Sequence, residues 1–213
     1  MRTDQLIAML ADDAAPVPRR AVSRRLLVAL AIGLPVSFAW MVMEYGVRRD
    51  LVQAMFWPMF WVRLLFGASI ALAGFVVVQR LARPGARVRG AWLGLAAPVL
   101  LIWALALLAL LSAPMEERAA LVWGQTWRSC AVDIGVVSLP VFAALLWALK
   151  GLAPTRPALA GAAAGALAGG AGAMVYAFHC PELAAPYIAV WYVAGIALPV
   201  VAGALIGPRL LRW

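Results

Sequence analysis

Between residues 91 and 112 the chain reads AWLGLAAPVLLIWALALLALLS, a run that contains no charged side chain. A helix rises about 1.5 Å per residue, so about 20 apolar residues cross the ~30 Å hydrocarbon core of a bilayer. Inside lipid a helix satisfies its own backbone hydrogen bonds, which makes it the favoured form for such a run. This stretch therefore predicts a transmembrane helix.

Five further apolar runs of similar length lie on either side of it, at about 26–43, 59–78, 131–149, 158–178 and 188–206. Hydrophobic residues make up 66% of the 213 residues and charged residues 13%, which is too little polar surface to cover a soluble globule. We therefore predict an all-α integral membrane protein, a bundle of six transmembrane helices over residues 26–213. Residues 1–25 are predicted to be a cytoplasmic tail, and the first helix is predicted to remain uncleaved.

Most of the 18 Lys and Arg residues lie in alternate connecting segments. They are Arg2, Arg19, Arg20, Arg24 and Arg25 before the first run, Arg80, Arg83, Arg87 and Arg89 after the second, Lys150 and Arg156 after the fourth, and Arg209 and Arg212 at the end. Positive residues beside a span stay in the cytoplasm, so both termini are predicted to lie there, in a bacterial inner membrane. This pattern explains the net charge of +9, and no direct contact with nucleic acid is expected.

Few polar groups fall inside the predicted spans. Arg63 and Asp133 each lie one turn inside a span near the outer face, where an ion pair between them would lower the cost of burying both. Their shallow depth favours a structural role. The single histidine, His179, is at the outer edge of the fifth span, so a bis-histidine haem inside the bundle is excluded and no cofactor is expected.

Glycines recur at four-residue spacing in the last two spans. They are Gly161, Gly165 and Gly169 in the fifth span, and Gly203 and Gly207 in the sixth. Small residues at this spacing let a neighbouring helix approach closely. We predict that both stripes are packing surfaces.

The two cysteines are predicted to lie close together. Cys130 begins the fourth span and Cys180 ends the fifth, and consecutive antiparallel spans bring these ends to the same outer face. The periplasm permits a disulfide, provided that the Cα atoms lie within roughly 4.4 to 6.8 Å. We expect Cys130 to be the stronger nucleophile, because it sits at a helix N-terminus near Arg128, with Cys180 able to resolve it.

A soft metal ion could bind transiently to a set made from Cys130, His179, Cys180 and Glu182. No ligand-spacing motif supports such a site, because the four residues are scattered. A static disulfide, or two ordinary small residues near the interface, is the plainer interpretation of the cysteine pair. A response to oxidant or metal that survives the change of Cys130 or Cys180 to serine would exclude a sensing role.

The N-terminal tail contains a short amphipathic segment. Thr3 can cap a helix whose apolar edge is formed by Leu6, Ile7 and Leu10. Such a segment either lies on the membrane or folds into the groove of a partner protein. The acidic residues that follow it match anionic lipid poorly, which favours a partner protein.

The chain resembles the NrsF-type membrane anti-sigma factors from end to end. The matching stretches are MRTDQLI at 1–7, PVPR at 16–19, WRSC at 127–130, LP at 139–140, HCPE at 179–182 and RLLRW at 209–213. The resemblance implies a non-enzymatic regulator whose tail holds an extracytoplasmic-function (ECF) sigma factor away from RNA polymerase. It also implies that the cysteine pair reports oxidative or heavy-metal stress. The implied sigma-binding residues are Thr3, Asp4, Leu6, Ile7, Leu10 and Arg19.

Two other classes of function stay open on the residues alone. A small transporter or channel would need buried polar groups, for which Arg63 and Asp133 are the candidates. A membrane thiol oxidoreductase could use Cys130 and Cys180, but the chain lacks a CxxC pair and an evident quinone or flavin site.

Overall fold

The computed structural model describes residues 3–12, 20–83, 88 and 90–212. Over these ranges the chain is helical and contains no β-strand. The helices are α1 (Thr3–Asp12), α2 (Ala21–Glu44), α3 (Leu51–Ala54), α4 (Pro58–Leu81), α5 (Ala91–Ser112), α6 (Met115–Trp123), α7 (Trp127–Lys150), α8 (Pro157–Tyr176), α9 (Ala185–Tyr187) and α10 (Val193–Leu210).

Among the described residues, six helical segments are long and apolar enough to cross a membrane. They correspond to the six predicted runs, so the predicted fold class is confirmed. The fourth and sixth segments are longer than predicted, because α6 precedes α7 and α9 precedes α10. A π-helical turn, Ile188–Tyr192, joins α9 to α10. Such turns widen a helix locally and are frequent at functional sites.

Helix α8 is the centre of the bundle, and it can be central because it is built mostly of alanine and glycine. A Cβ atom added at Gly161 would collide with the backbone of Gly203, and one added at Gly165 would collide with the Pro199 carbonyl. On another side of α8, the backbone of Leu167 lies 2.7 Å from the position of a Cβ atom on Gly74. The predicted packing role of the glycine stripes is therefore confirmed.

Helix α2 packs along α7. A Cβ atom on Gly33 would lie 2.7 Å from the Cα atom of Val141, so the two backbones are in close contact. At the far end of the same pair, Arg25 Nη1 donates a hydrogen bond of 2.6 Å to the Gly151 carbonyl oxygen. The beginning of α2 is thereby attached to the end of α7.

Candidate thiol site at one end of the bundle

Cys130 and Cys180 lie together at one end of the bundle. Cys130 is in the first turn of α7, where its amide donates to the Thr126 carbonyl over 3.1 Å. Cys180 follows the end of α8, where its amide donates to the Tyr176 carbonyl over 3.0 Å. The two side chains are adjacent in one buried cluster, and both residues are free thiols with 0% exposure. Thiols 50 positions apart in the chain are therefore in contact.

Arg63 reaches this site from α4 and is completely buried. Its Nη2 donates to the Ala177 carbonyl over 2.7 Å, and its Nη1 donates to the carbonyls of Cys180 and Glu182 over 2.9 and 2.6 Å. The last carbonyls of a helix have no intrahelical partners and carry partial negative charge. Arg63 therefore caps the end of α8 and holds the loop that carries Cys180.

A second arginine binds the same loop. Arg48 Nη1 donates a hydrogen bond to the Cys180 carbonyl over 3.0 Å. The backbone amide of Arg48 donates to the Phe178 carbonyl over the same distance. Its guanidinium is also paired with Asp50 at 2.7 Å, and this hydrogen-bonded contact lowers the pKa of the Asp50 carboxyl to about 2. Sequence reasoning missed this role, although a cation near a helix C-terminus is the kind of signal that could have indicated it.

The expected ion pair between Arg63 and Asp133 does not form. Arg63 is directed toward the carbonyls at the end of α8, whereas Asp133 Oδ2 accepts a hydrogen bond of 3.0 Å from the Tyr176 hydroxyl. The backbone carbonyls satisfy the guanidinium in place of the carboxylate. Arg63 also does not behave as a snorkelling side chain, whose charged end would reach the surface, because it is completely inaccessible.

The charged side chains around the pair favour a thiolate at Cys180, whereas the sequence led us to expect one at Cys130. Arg128 lies over the Trp127 ring, 5.4 Å from its centroid. The positive charges at the pair belong instead to Arg63 and Arg48, which bind at Cys180. The adjacent Cys130 thiol and the Arg63 charge lower the pKa of the Cys180 thiol, although burial opposes them. Cys180 therefore has the greater thiolate character of the two.

Two tyrosines complete the surroundings of the thiols. The Tyr187 hydroxyl lies 2.8 Å from Thr126 Oγ1 and also beside the Cys130 sulfur. Tyr192, in the π-helical turn, is fully buried, and its hydroxyl lies beside the Cys180 sulfur. Both tyrosines are brought to the site by the irregular start of the last span.

The structure does not gather the metal-ligand set suggested by the sequence. His179 Nδ1 lies 2.9 Å from the Gly46 carbonyl, and its ring contacts Tyr45. The Glu182 carboxylate accepts a hydrogen bond of 2.6 Å from the Gln125 amide. Within the described ranges no three His, Cys, Asp or Glu side chains are grouped so that they could hold a metal ion.

The N-terminal segment forms the expected short helix, α1. Thr3, Asp4 and Ile7 are exposed on it, and 59% of Ile7 is accessible. Leu6 and Leu10 belong to the same helix, but their side chains lie outside what the structure describes, as does the whole of Arg19.

These features define an all-helical protein with the build of a polytopic membrane protein and a buried thiol pair at one end. The family described as "Negative regulator of sigma F", NrsF, matches residues 10–213, and the chain belongs to this family. It is 44% identical to the "Probable anti-sigma-F factor NrsF" of Azospira oryzae over the full length of both chains. It is 40% identical to the "Anti-sigma-F factor NrsF" of Caulobacter vibrioides, also over the full length of both. No solved structure matches the chain.

Proposed function

We propose that this protein is a membrane-bound anti-sigma factor, a regulator rather than an enzyme. Its tail, residues 1–25, holds an ECF sigma factor at the membrane, and reaction of Cys130 and Cys180 with an oxidant or a thiol-reactive heavy-metal ion releases that factor. Membership of the NrsF family and the names of the two relatives support the anti-sigma role. The observation that carries the sensing role is the direct contact between two free thiols from different spans.

The proposed orientation places the thiol pair in the periplasm and both termini in the cytoplasm of the inner membrane. It is supported by the basic residues at the end of the bundle opposite the thiols, among them Arg24, Arg25, Lys150 and Arg209. The thiols then face an oxidising compartment, and the tail faces the compartment that contains RNA polymerase. The test applies an impermeant thiol reagent to intact cells under mild denaturing conditions that open the buried thiol site of the protein. Both cysteines should then be labelled, and labelling only after lysis of the cells would contradict the orientation.

Helix α7 offers a physical route between the two ends. Cys130 lies in its first turn, and the Gly151 carbonyl that follows its last residue binds Arg25 at the start of α2. Between these points α2 and α7 are in backbone contact at Gly33 and Val141. A disulfide would draw the two sulfur atoms to bonding distance and shift α7 against α8, and α2 would move with it. A coupling free energy of about 1.4 kcal/mol changes the affinity of the tail for its partner tenfold.

The tail's role is tested with the full-length protein in lipid nanodiscs and the sigma factor of the same cell. Ile7→Asp places a charge on the predicted apolar edge of α1 and should abolish capture of the sigma factor. Gln5→Asp is the matched control, because at 3.6 residues per turn it lies on the opposite face of the same helix. Equal capture by both variants would show that α1 is not the binding segment.

The structure does not favour a transporter or channel. Arg63 and Asp133, the residues on which transport would depend, are both engaged in structural hydrogen bonds. Neither residue faces the other, so they do not form a charged pathway.

A further inference from the structure

Two buried polar groups near Cys180 have no hydrogen-bond partner in the described part of the protein. They are Arg63 Nε and the Tyr192 hydroxyl. The Arg63 guanidinium carbon lies 5.7 Å from the centroid of the Tyr192 ring, so the two groups are neighbours. The Tyr192 hydroxyl lies beside the Cys180 sulfur but makes no hydrogen bond of standard geometry with it. Unpaired buried donors are rare because they cost free energy, and two of them on neighbouring side chains require an explanation.

Arg63 also lacks an anionic partner. Its three acceptors are neutral backbone carbonyls, and the ion pair found among the described residues joins Arg48 to Asp50. A buried charge is disfavoured unless it is neutralised. The Glu182 carboxylate is bound to the Gln125 backbone amide, so Cys180 is left as a neighbour whose side chain can become negative.

We propose that Arg63 Nε and the Tyr192 hydroxyl form an oxyanion pocket that stabilises the sulfenate of Cys180, formed when this thiolate reacts with a hydroperoxide. The inference rests on the proposed function, since it assigns the oxidised intermediate of the same thiol pair. In the reduced protein neither donor has a hydrogen-bond acceptor. In the oxidised protein the sulfenate oxygen accepts from both, and its charge is neutralised by Arg63.

Disulfide formation proceeds through the sulfenate in two steps. The Cys180 thiolate attacks the terminal oxygen of the hydroperoxide ROOH, so that an S–O bond forms, the O–O bond breaks and ROH leaves. The sulfur loses two electrons to the peroxide, and the product is the sulfenate anion. The Cys130 thiol then attacks the Cys180 sulfur, the sulfenate oxygen takes the thiol proton and one further proton, and water leaves as the disulfide forms.

The surroundings favour this chemistry at Cys180 over Cys130. The Tyr187 hydroxyl near Cys130 is already engaged with Thr126, whereas the Tyr192 hydroxyl near Cys180 has no such partner. The residue after Cys180, Pro181, is exposed, so a small neutral peroxide needs only a local opening of this loop to reach the sulfur.

The test uses the full-length protein with Cys130→Ser, in which the sulfenate cannot be resolved to a disulfide. A hydroperoxide is added, the sulfenate is trapped with dimedone, and the adduct on Cys180 is followed by mass spectrometry. Adding Tyr192→Phe should lower the rate of adduct formation about tenfold, as expected for the loss of one charge-assisted hydrogen bond. The matched control is Tyr45→Phe, because the Tyr45 hydroxyl faces Asp133 and not Cys180; this change should leave the rate unchanged.

Tyr192→Phe removes a hydroxyl that has no partner, so the fold should be retained, and this is checked by the unfolding midpoint of the variant. Arg63→Lys is the second variant: it keeps a cation but has no Nε, and it should also slow adduct formation. Equal rates of adduct formation with and without Tyr192→Phe would contradict the proposed pocket, and so would the absence of any adduct on Cys180. Because no sigma factor is present in this assay, failure of the pocket is distinguishable from failure of the proposed release mechanism.

Discussion

Replacing Arg63 with methionine should destabilise the bundle strongly, although Arg63 lies at one end of it. Methionine keeps most of the side-chain volume but removes three hydrogen bonds to backbone carbonyls. The Cys180 carbonyl still accepts from Arg48, so two carbonyls, those of Ala177 and Glu182, lose this donor. A buried acceptor left unpaired costs about 1–3 kcal/mol.

The two unpaired carbonyls together should lower the free energy of unfolding by roughly 2–6 kcal/mol. Removing a buried charge offsets part of this loss. We therefore expect the free energy of unfolding to fall by about 2–4 kcal/mol. The assay is unfolding by SDS in mixed micelles, followed by tryptophan fluorescence. Arg49→Met is the matched control, because Arg49 is exposed in the segment between α2 and α3. An unfolding midpoint of Arg63→Met equal to that of the control would refute the capping role of Arg63.

Three further predictions concern packing, coupling and reactivity. Gly165→Val should separate α8 from α10 and cost about 1–3 kcal/mol in the same unfolding assay, whereas Gly94→Ala should be nearly neutral, since its Cβ atom would meet a neighbouring methyl group at 3.3 Å. Arg25→Ala should leave disulfide formation intact but weaken its effect on sigma binding, measured by titrating oxidised and reduced protein with the sigma factor; an unchanged effect would exclude this contact as the link. With both cysteines present, the initial rate of Cys180 oxidation should level off at a lower pH than for an ordinary thiol of pKa about 8.5, because the adjacent Cys130 thiol and the Arg63 charge both favour the thiolate; a rate that rises up to pH 9 would contradict this.

The spans and the closeness of the cysteines were predictable because both follow from the apolar pattern. The run at 91–112 coincides with α5, and antiparallel spans necessarily bring Cys130 and Cys180 to one end. The glycine spacing likewise predicted the contact of Gly161 with Gly203, since helical periodicity decides which residues share a face.

The partners of Arg63 were not predictable in the same way. Its carbonyl acceptors belong to a loop whose course depends on the packing of α4 against α8, and no residue pattern encodes that course. The charges near the thiols were not predictable for the same reason: Arg128 is close to Cys130 in sequence, but Arg63 and Arg48 bind at Cys180 in space. The rule about helix ends considers only residues that are close in sequence, so it could not include the charges that reach Cys180 from other helices.

The most direct test of the sensing mechanism measures disulfide occupancy and sigma-factor affinity on the same nanodisc sample. Complete oxidation of the Cys130–Cys180 pair should weaken sigma binding at least about tenfold, and reduction should restore it. Cys130→Ser and Cys180→Ser should bind the sigma factor tightly with or without oxidant. A fully formed disulfide that leaves the affinity unchanged would contradict the proposal that the thiol pair controls the tail.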